Sequence, residues 1–496
     1  MRAAGKIIAA LALCLIGSAA FARNTLSQKL LSDYAGKEPL RSGVVGVLAV
    51  TAGGDTLAQL NRCVKLVPAS NVKLITTGLG LVKLGPGYQY RTKLAHSGTV
   101  RDGVLTGDLY ILGGGDPTTG ADSKCAQPLE VVFGAFRSQL EQAGINRIEG
   151  RVIADPRYFG YPSYTQTWQS EDLGFNYGAG PEGLNFYENA QDFLVASTQQ
   201  GQPLAIRAIY PETPWMNWTV DAVTAAPGTT NTVYCVNSEF GPWGAFYGSF
   251  PADRSRFTYE GSNRFGPWTY AYYLYKYLTS SGISIKGGYG DVSPRGLLRT
   301  DLLYSDLGTP APARESLTEL GTVLSPNLLS IVTDANMESD NFFAETVFKS
   351  LGPDPVKAEE TLLRSMGLTP GTACCIVDGS GLSRNNYVSA EFFVKFLRKM
   401  LGSNVFKQYL ASLPSPGKGT LKNRMPAAPE DVKARIYMKS GTMNGVRCFS
   451  GYILPPAGAD SKKTVVFSIL TNNIPGSSST VFAILDELIL SLAGEQ

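Results

Sequence analysis

The two ends of this chain share one pattern, short apolar strands beside amphipathic helices, although most of the sequence lies between them. Near the N-terminus, an apolar run at residues 44–50 turns at Gly53-Gly54-Asp55 into a second strand at residues 56–60. Near the C-terminus, three strands between residues 436 and 471 predict a meander, and an apolar helix follows at residues 479–492. We therefore expect an α+β fold in which both ends form one antiparallel sheet flanked by helices, interrupted by a large β-rich insertion in two parts.

The helix after the first hairpin begins beside a serine. Apolar residues recur at helical spacing from Val72 onward, and Gly85-Pro86-Gly87 ends the run. Ser70 should therefore lie at the helix N-terminus, where the partial positive charge favours an alkoxide-like oxygen and free N–H groups can hold an oxyanion. Lys73 lies one turn further on the same face. A buried lysine near another cation has a lowered pKa and can accept the hydroxyl proton of a serine.

The same spacing also occurs where a serine caps a helix and a lysine is solvated. A second instance, Ser415 and Lys418, flanks Pro416-Gly417, which cannot form a helix interior. The single histidine, His96, lies near a predicted strand end among turn residues, so neither a Ser-His-Asp triad nor a histidine zinc site is supported. Lysine is then the natural base for a serine nucleophile.

The first 22 residues predict a secretory signal peptide, with a basic start, an apolar centre and a small-x-small cleavage site at Ala20-Phe21-Ala22. No later apolar run is long enough to span a bilayer, so we expect an exported, periplasmic protein without a transmembrane segment in the mature chain. The net charge of +3 falls to +1 without Arg2 and Lys6, which argues against nucleic-acid binding. Six cysteines remain, which permits disulfides without specifying a pairing, and no spacing suggests a metal or cofactor site.

The middle of the chain changes to short strands between turn signals, which predicts separate inserted domains. All five tryptophans lie there, which favours a core of its own over a carbohydrate-stacking surface. The predicted division is a signal peptide at residues 1–22, a catalytic domain at residues 23–87 and 287–496, an inserted β-rich domain at residues 88–165 and 265–286, and a second, nested insertion at residues 166–264.

Three short motifs occur in order along the chain: Ser70-x-x-Lys73, Ser339-Asp340-Asn341 and Lys439-Ser440-Gly441-Thr442. The first begins a predicted helix, and the third ends a predicted strand before a turn. The second lies within residues 328–352, which share helical periodicity with residues 317–324. Each motif alone is a weak signal, but together they are the set found in penicillin-binding proteins and class A β-lactamases.

The chemistry of acyl transfer explains the nucleophilic part of this set. Ser70 would attack a carbonyl carbon with Lys73 as the base. Ser339 and Lys439 would pass the proton to the leaving amine, and Asn341 can donate to an amide carbonyl.

The third motif would bind the substrate. Lys439 supplies charge for a carboxylate, and Gly441 lets the strand edge approach the substrate backbone. The N–H groups of Thr442 and Ser70 would form the oxyanion hole. The hydroxyl groups of Ser440 and Thr442 are candidates for holding the terminal carboxylate.

With these motifs, the chain resembles the three-domain, low-molecular-mass class C penicillin-binding proteins, which are D-alanyl-D-alanine carboxypeptidases and endopeptidases. The glycine- and serine-rich stretch at residues 377–384 and Gly107-Asp108-Leu109 extend the resemblance to nearly the whole mature chain. The resemblance implies peptidoglycan stem peptides as substrates and β-lactam antibiotics as covalent inhibitors. It also implies that Asp155 and Phe159 of the insertion, and Arg384, contact a diaminopimelate-type side chain.

Two departures from the family pattern affect what the resemblance implies. Ser440 stands where many members have threonine and keeps the hydroxyl group, whereas Met337 stands where a lysine is often seen, which leaves substrate preference open. The leading interpretation is a serine D,D-peptidase that cleaves terminal D-Ala-D-Ala and D-Ala–diaminopimelate cross-links. A β-lactamase, which would need a glutamate to position water, and a non-catalytic cell-wall-binding protein are the alternatives.

Overall fold

The computed structural model describes residues 25–160, 162–238, 241–292, 311–475 and 478–496. The predicted signal peptide lies outside the described residues. The helices are α1 (Leu26–Ala35), α2 (Val72–Leu84), α3 (Leu129–Gln142), α4 (Gly266–Ser280), α5 (Leu328–Met337), α6 (Asn341–Lys349), α7 (Pro355–Ser365), α8 (Ala390–Leu401), α9 (Phe406–Ala411), α10 (Glu430–Lys433) and α11 (Ser478–Gly494).

The strands form several separate sheets. They are β1 (Val44–Thr51), β2 (Thr56–Leu60), β3 (Lys65–Leu66), β4 (Arg91–His96), β5 (Thr99–Arg101), β6 (Val104–Thr106), β7 (Leu109–Leu112), β8 (Arg147–Ile148), β9 (Val152–Asp155), β10 (Ala190–Ala196), β11 (Ala205–Tyr210), β12 (Asn217–Val220), β13 (Val223–Ala225), β14 (Tyr234–Asn237), β15 (Trp243–Tyr247), β16 (Ser249–Pro251), β17 (Arg256–Ser262), β18 (Ser284–Ile285), β19 (Tyr289–Asp291), β20 (Thr318–Leu324), β21 (Cys374–Cys375), β22 (Tyr387–Ser389), β23 (Ile436–Met443), β24 (Val446–Ile453) and β25 (Val465–Asn472).

Both ends of the chain meet in one five-stranded sheet with the order β2-β1-β25-β24-β23. Strand β1 pairs antiparallel with β25, so that Val44 lies opposite Asn472, and β23, β24 and β25 form the meander. This pairing confirms the predicted sheet. It also makes β23, which carries the third motif, an edge strand.

Both faces of this sheet are covered, which explains why β1 is a continuous apolar run rather than an alternating one. Val45 and Val47 point into a core with α1 and α11, whereas Leu48 and Val50 point into a second core with α2, α5, α6 and α8. Helices α1 and α11, the first and last of the described residues, therefore cover one face of the sheet. The helix that begins after Ser70 lies on the other face.

The insertion has its own sheets, including one with the order β19-β9-β7-β4-β20 that packs against α3 and α4. The predicted helix at residues 317–324 is wrong, because β20 pairs antiparallel with β4 and places Thr318 opposite His96. Strands β19 and β20 extend this sheet, so the predicted return to the catalytic domain at residue 287 is too early. The rest of the predicted domain division stays a prediction.

The chain leaves and re-enters the catalytic part side by side. The amide N–H of Leu328 donates to the carbonyl of Tyr88 at 2.7 Å, and that of Ser325 donates to the carbonyl of Tyr90 at 3.0 Å. The two crossing segments are thus hydrogen-bonded to each other at the base of the insertion.

Among the residues that the structure describes, no helix combines the length and hydrophobicity needed to cross a bilayer. The same residues contain no cluster of histidine, cysteine, aspartate and glutamate side chains that could hold a metal ion. All six cysteines of the described ranges are free thiols.

Candidate active site

The first motif brings a serine and a lysine together at the start of α2. Residues Ala69–Asn71 form a single 3₁₀ turn that leads directly into the helix, as the sequence predicted. The Nζ atom of Lys73 lies 3.1 Å from the Oγ atom of Ser70. The lysine also donates to the Oδ1 atom of Asn341 and to the backbone carbonyl of Ser380, each at 2.7 Å. Three acceptors therefore match the three N–H groups of the ammonium.

The environment of Lys73 favours its neutral form more than water does. The side chain is fully buried, and burial lowers its pKa to about 8 although the carboxylates of Asp340, Glu345 and Asp378 oppose the shift. A pKa near the working pH is what a general base needs. The amine can therefore take the proton of the Ser70 hydroxyl group.

The second motif lies in a break between two helices and not inside one. Ser339 has a positive φ of 62°, which interrupts the run between α5 and α6. The side chain of Asp340 accepts the N–H of Phe343 at 2.7 Å and caps α6. The predicted helical context of Ser339 is therefore wrong, since this cap and the left-handed residue before it end one helix and begin another. Asn341 is the first residue of α6.

The third motif reaches the second across the cleft. The Nζ atom of Lys439 lies 2.8 Å from the Oγ atom of Ser339. Burial and the charge of Lys73 lower the pKa of Lys439 well below its usual value. Gly441 is needed for close approach, because a Cβ atom there would lie 2.4 Å from the carbonyl oxygen of Pro68. The strand edge thus lies directly against the turn that carries Ser70.

The hydroxyl residues of the motifs line one open cleft. Its volume is about 330 Å³, and its lining includes Ser70, Ser339, Ser440 and Thr442. Thr442 is exposed, and Ser440 is partly buried. The structure therefore brings the predicted residues of all three motifs together around one space.

The loop of residues 377–384, in which only Arg384 was predicted as a site residue, completes the site. The Ser380 carbonyl accepts from Lys73, while the Ser380 amide N–H donates to the Oε1 atom of Glu345 at 2.7 Å. Gly381 has a φ of 85°, and a Cβ atom there would lie 2.0 Å from the carbonyl oxygen of Ala69. For the contact of Ser380 with Lys73, the signal in the sequence was the glycine-rich composition of residues 377–384. Glycines in a loop indicate that the backbone passes close to another group, but they do not identify that group.

The carboxylate of Asp155, which was predicted to contact the substrate, forms ion pairs with two arginines. It is fully buried and lies 2.6 Å from Nη2 of Arg157 and 3.1 Å from Nη2 of Arg314. Burial alone would raise its pKa, but hydrogen bonds from both guanidinium groups outweigh burial and lower the pKa. The structure thus gives this carboxylate two structural partners, and its contact with a substrate stays a prediction.

Phe159 and Arg384 lie beside the motif cluster and not within it. The ring of Phe159 is 5.9 Å from Nζ of Lys349, at the far end of α6. Arg384 donates from Nε to Gln169 at 3.2 Å and lies 3.5 Å from the carbonyl of Asn444 in the turn after the third motif. Their predicted part in substrate binding also remains a prediction.

The fold and the cleft define a protein of the penicillin-binding-protein and β-lactamase-like class, with two serine–lysine pairs at the edge of an antiparallel sheet. The chain belongs to the D-Ala-D-Ala carboxypeptidase 3 (S13) family, whose model matches residues 27–295 and 302–488. This family confirms the predicted class of enzyme, a serine-type D-Ala-D-Ala carboxypeptidase.

Relatives with this activity in their names cover most of the chain. A D-alanyl-D-alanine carboxypeptidase of Actinomadura sp. (strain R39) is 29% identical over 481 residues, which span 92% of this chain and 82% of the relative. DacB of Haemophilus influenzae is 21% identical over 89% of this chain and 88% of its own. The crystal structure of penicillin binding protein 4 (dacB) from Haemophilus influenzae matches with a TM-score of 0.75 at 21% identity, covering 94% of this chain and 98% of that one. This structural likeness confirms the predicted fold.

Proposed function

We propose that Ser70 is the nucleophile of a periplasmic serine D,D-peptidase and that Lys73 is its general base. The 3.1 Å contact between the serine hydroxyl and the buried amine carries this assignment. In the neutral form of Lys73, the amine takes the hydroxyl proton as Oγ bonds to the carbonyl carbon of the scissile peptide. This step gives a tetrahedral intermediate, in which the carbon is bonded to Oγ of Ser70 and the former carbonyl oxygen carries the negative charge.

Two backbone N–H groups, those of Ser70 and Thr442, are proposed to hold that oxyanion. The close packing of Gly441 against Pro68 supports this role, because it brings the strand edge to the turn that contains Ser70. N–H groups that point in advance at the developing charge stabilise the transition state without reorganisation.

The second serine–lysine pair is proposed to protonate the leaving amine. Lys439 lies within hydrogen-bonding distance of Ser339, and its lowered pKa lets its amine both accept and release a proton. Ser339 and Lys439 pass on to the leaving amine the proton that Lys73 took from Ser70, so that the C–N bond breaks, an acyl-enzyme remains on Ser70 and Lys73 is neutral again. Water then hydrolyses the ester and restores the free serine.

The proposed substrates are peptidoglycan stem peptides that end in D-Ala-D-Ala, with D-Ala–diaminopimelate cross-links as a further substrate. We propose that the hydroxyl groups of Ser440 and Thr442, which line the cleft, receive the terminal carboxylate. We also propose acylation of Ser70 by penicillin. Penicillin binding protein 4 of Haemophilus influenzae, which has the same fold with a TM-score of 0.71, was solved in complex with a β-lactam.

The test is covalent labelling with a fluorescent penicillin, followed by mass spectrometry of the modified peptide. We expect the label on Ser70 and its complete loss in the Ser70→Ala variant. The matched control is Ser415→Ala, which alters the other Ser-x-x-Lys segment and should leave labelling unchanged. Labelling that persists in Ser70→Ala contradicts the proposal.

Activity is measured separately as release of D-alanine from a peptide that ends in D-Ala-D-Ala. A carboxypeptidase releases one D-alanine per peptide, whereas a non-catalytic wall-binding protein releases none. Sustained turnover of nitrocefin, without accumulation of the acyl-enzyme, would instead indicate a β-lactamase.

A further inference from the structure

A short part of the insertion lies against the catalytic loop and the second motif. We call residues 167–177 the docking segment. Its contacts with the catalytic part are Thr167 Oγ1 to Ser383 Oγ at 2.7 Å, Trp168 Nε1 to Asp378 Oδ2 at 2.9 Å, Gln169 Oε1 to Arg384 Nε at 3.2 Å, and the Tyr177 carbonyl to Asn341 Nδ2 at 3.0 Å.

Trp168 donates to the carboxylate of Asp378, which accepts several other hydrogen bonds as well. Asp378 is fully buried and also accepts the N–H groups of Gly381 at 2.9 Å and Ser383 at 2.6 Å, together with the Nδ2 group of Asn386 at 2.8 Å. Hydrogen bonds to a charged acceptor are stronger than neutral ones. The indole N–H of Trp168 is the only one of these four donors that comes from the insertion.

One peptide unit connects Asp378 with Lys73. The Gly381 N–H donates to Oδ1 of Asp378, and the carbonyl of the same peptide unit, that of Ser380, accepts from Lys73 at 2.7 Å. Hydrogen bonds in such a chain polarise one another. The carboxylate therefore both fixes the carbonyl and makes it a better acceptor for the lysine.

The Tyr177 contact fixes a second acceptor of the same lysine. An amide side chain has one oxygen and one NH₂ group. Because Nδ2 of Asn341 donates to the carbonyl of Tyr177, Oδ1 must face the other way, and it accepts from Lys73 at 2.7 Å. The Tyr177 carbonyl thus reinforces the preference of the lysine N–H groups for Oδ1 and holds the amide in this orientation.

We propose that the docking segment positions Lys73 and is therefore a functional part of the active site. Of the three acceptors around the ammonium, one is Ser70, and the other two, Asn341 and Ser380, are each held through this segment. Trp168 and Asp378 are then positioning residues for the base. The proposal rests on the role of Lys73 proposed above.

The simpler explanation is that Trp168 only attaches the insertion by apolar packing. The chain offers a matched control for it, because Trp215 is another tryptophan of the insertion, and its buried Nε1 has no hydrogen-bond partner among the described residues. Replacing either tryptophan by phenylalanine removes similar apolar area. Only the change at Trp168 removes an N–H group that acts on Asp378.

The experiment measures the acylation rate by labelled penicillin against pH for Trp168→Phe, Trp215→Phe and Asp378→Asn, with thermal unfolding of each variant. We expect the limiting acylation rate of Trp168→Phe to fall about tenfold or more through misplacement of the base, and that of Trp215→Phe to stay within about twofold. The charged groups that face Lys73 are Asp340, Glu345, Asp378 and Lys439.

Asp378→Asn should also move the acidic limb of the pH profile to lower pH, because one of the three carboxylates that favour the charged lysine is lost. Equal acylation rates in the two phenylalanine variants would overturn the proposal, as would an Asp378→Asn profile that keeps the wild-type midpoint in a folded protein. If the Ser70→Ala variant still labels, the proposed function itself has failed. If labelling depends on Ser70 but Trp168→Phe behaves like Trp215→Phe, only the role of the docking segment has failed.

Discussion

A lysine lies at each end of helix α6: the buried Lys73 of α2 contacts Asn341 at the N-terminal end, and the partly buried Lys349 is the last residue of α6. The two lysines differ in what they can reach. At the N-terminal end, Lys73 contacts a serine hydroxyl group, an amide oxygen and a carbonyl. At the C-terminal end, the partners of Lys349 among the described residues are backbone carbonyls, those of Ser163 at 2.6 Å, Pro181 at 2.9 Å and Pro162 at 3.5 Å. Burial lowers the pKa of both lysines to about 8. A lowered lysine pKa therefore does not by itself mark a catalytic base, because a hydroxyl group must also lie within reach of the amine.

Lys349 instead joins two parts of the molecule. Its positive charge at the C-terminus of α6 is favourable there, and its acceptors belong to the insertion. The same helix thus carries an active-site contact at one end and an attachment of the insertion at the other.

The largest expected difference between the two ends is in acylation. Lys73→Met should slow acylation of Ser70 by about 10³-fold, because a general base contributes roughly 10²–10⁴ to such a step. Lys349→Met should stay within about threefold of wild type. Stopped-flow measurement with a fluorescent penicillin gives both rates. A similar loss of rate in both variants would contradict the predicted difference between Lys73 and Lys349.

A smaller effect should follow from the serines that flank α6. Ser339→Ala should slow acylation about 100-fold, because the proton path from Lys439 to the leaving amine is broken. The control is Ser350→Ala, at the opposite end of the helix, where the hydroxyl group bonds the carbonyl of Thr346 at 2.7 Å. The D-alanine release assay checks both variants, and an active Ser339→Ala enzyme would remove this serine from the mechanism.

The pH profile should separate the two lysines again. Since only neutral Lys73 can accept the proton, the acylation rate should rise with pH and pass its midpoint near the pKa of about 8. Lys349→Met should keep that midpoint, because its amine does not contact Ser70. Acylation rates between pH 6 and 10 test this prediction, and a midpoint that moves with Lys349 would contradict it.

The smallest effect is on stability. Lys349→Met leaves backbone carbonyls unpaired and should lower the free energy of unfolding by about 1–3 kcal/mol. Because the folded-state pKa of about 8 lies below the usual value of 10.5, the unfolded chain binds the proton more tightly, and stability should rise as pH increases between these values. The Lys349→Met variant should show a flatter rise in urea unfolding. An unchanged slope would mean that Lys349 is not desolvated.

Local pattern was enough to predict the catalytic sheet and the start of the Ser70 helix, because apolar runs, turn glycines and a helix stop lie close together in sequence. It failed at residues 317–324, where Leu317, Leu320 and Leu324 fit helical spacing but long-range pairing with β4 makes a strand. It also missed the break at Ser339, since the cap by Asp340 and the positive φ depend on how the chain turns into α6.

The docking segment could not be predicted from local pattern at all. The partners Trp168 and Asp378 are far apart in the sequence, and neither lies in one of the three motifs. A buried carboxylate finds its donors through the tertiary fold, so composition gives no signal for which tryptophan will supply one.

The chain enters and leaves the insertion through two neighbouring segments, which are hydrogen-bonded to each other at Tyr88 and Leu328. Because the entry and exit points are neighbours, a change in the length of the insertion would leave the register of the five-stranded sheet unaltered.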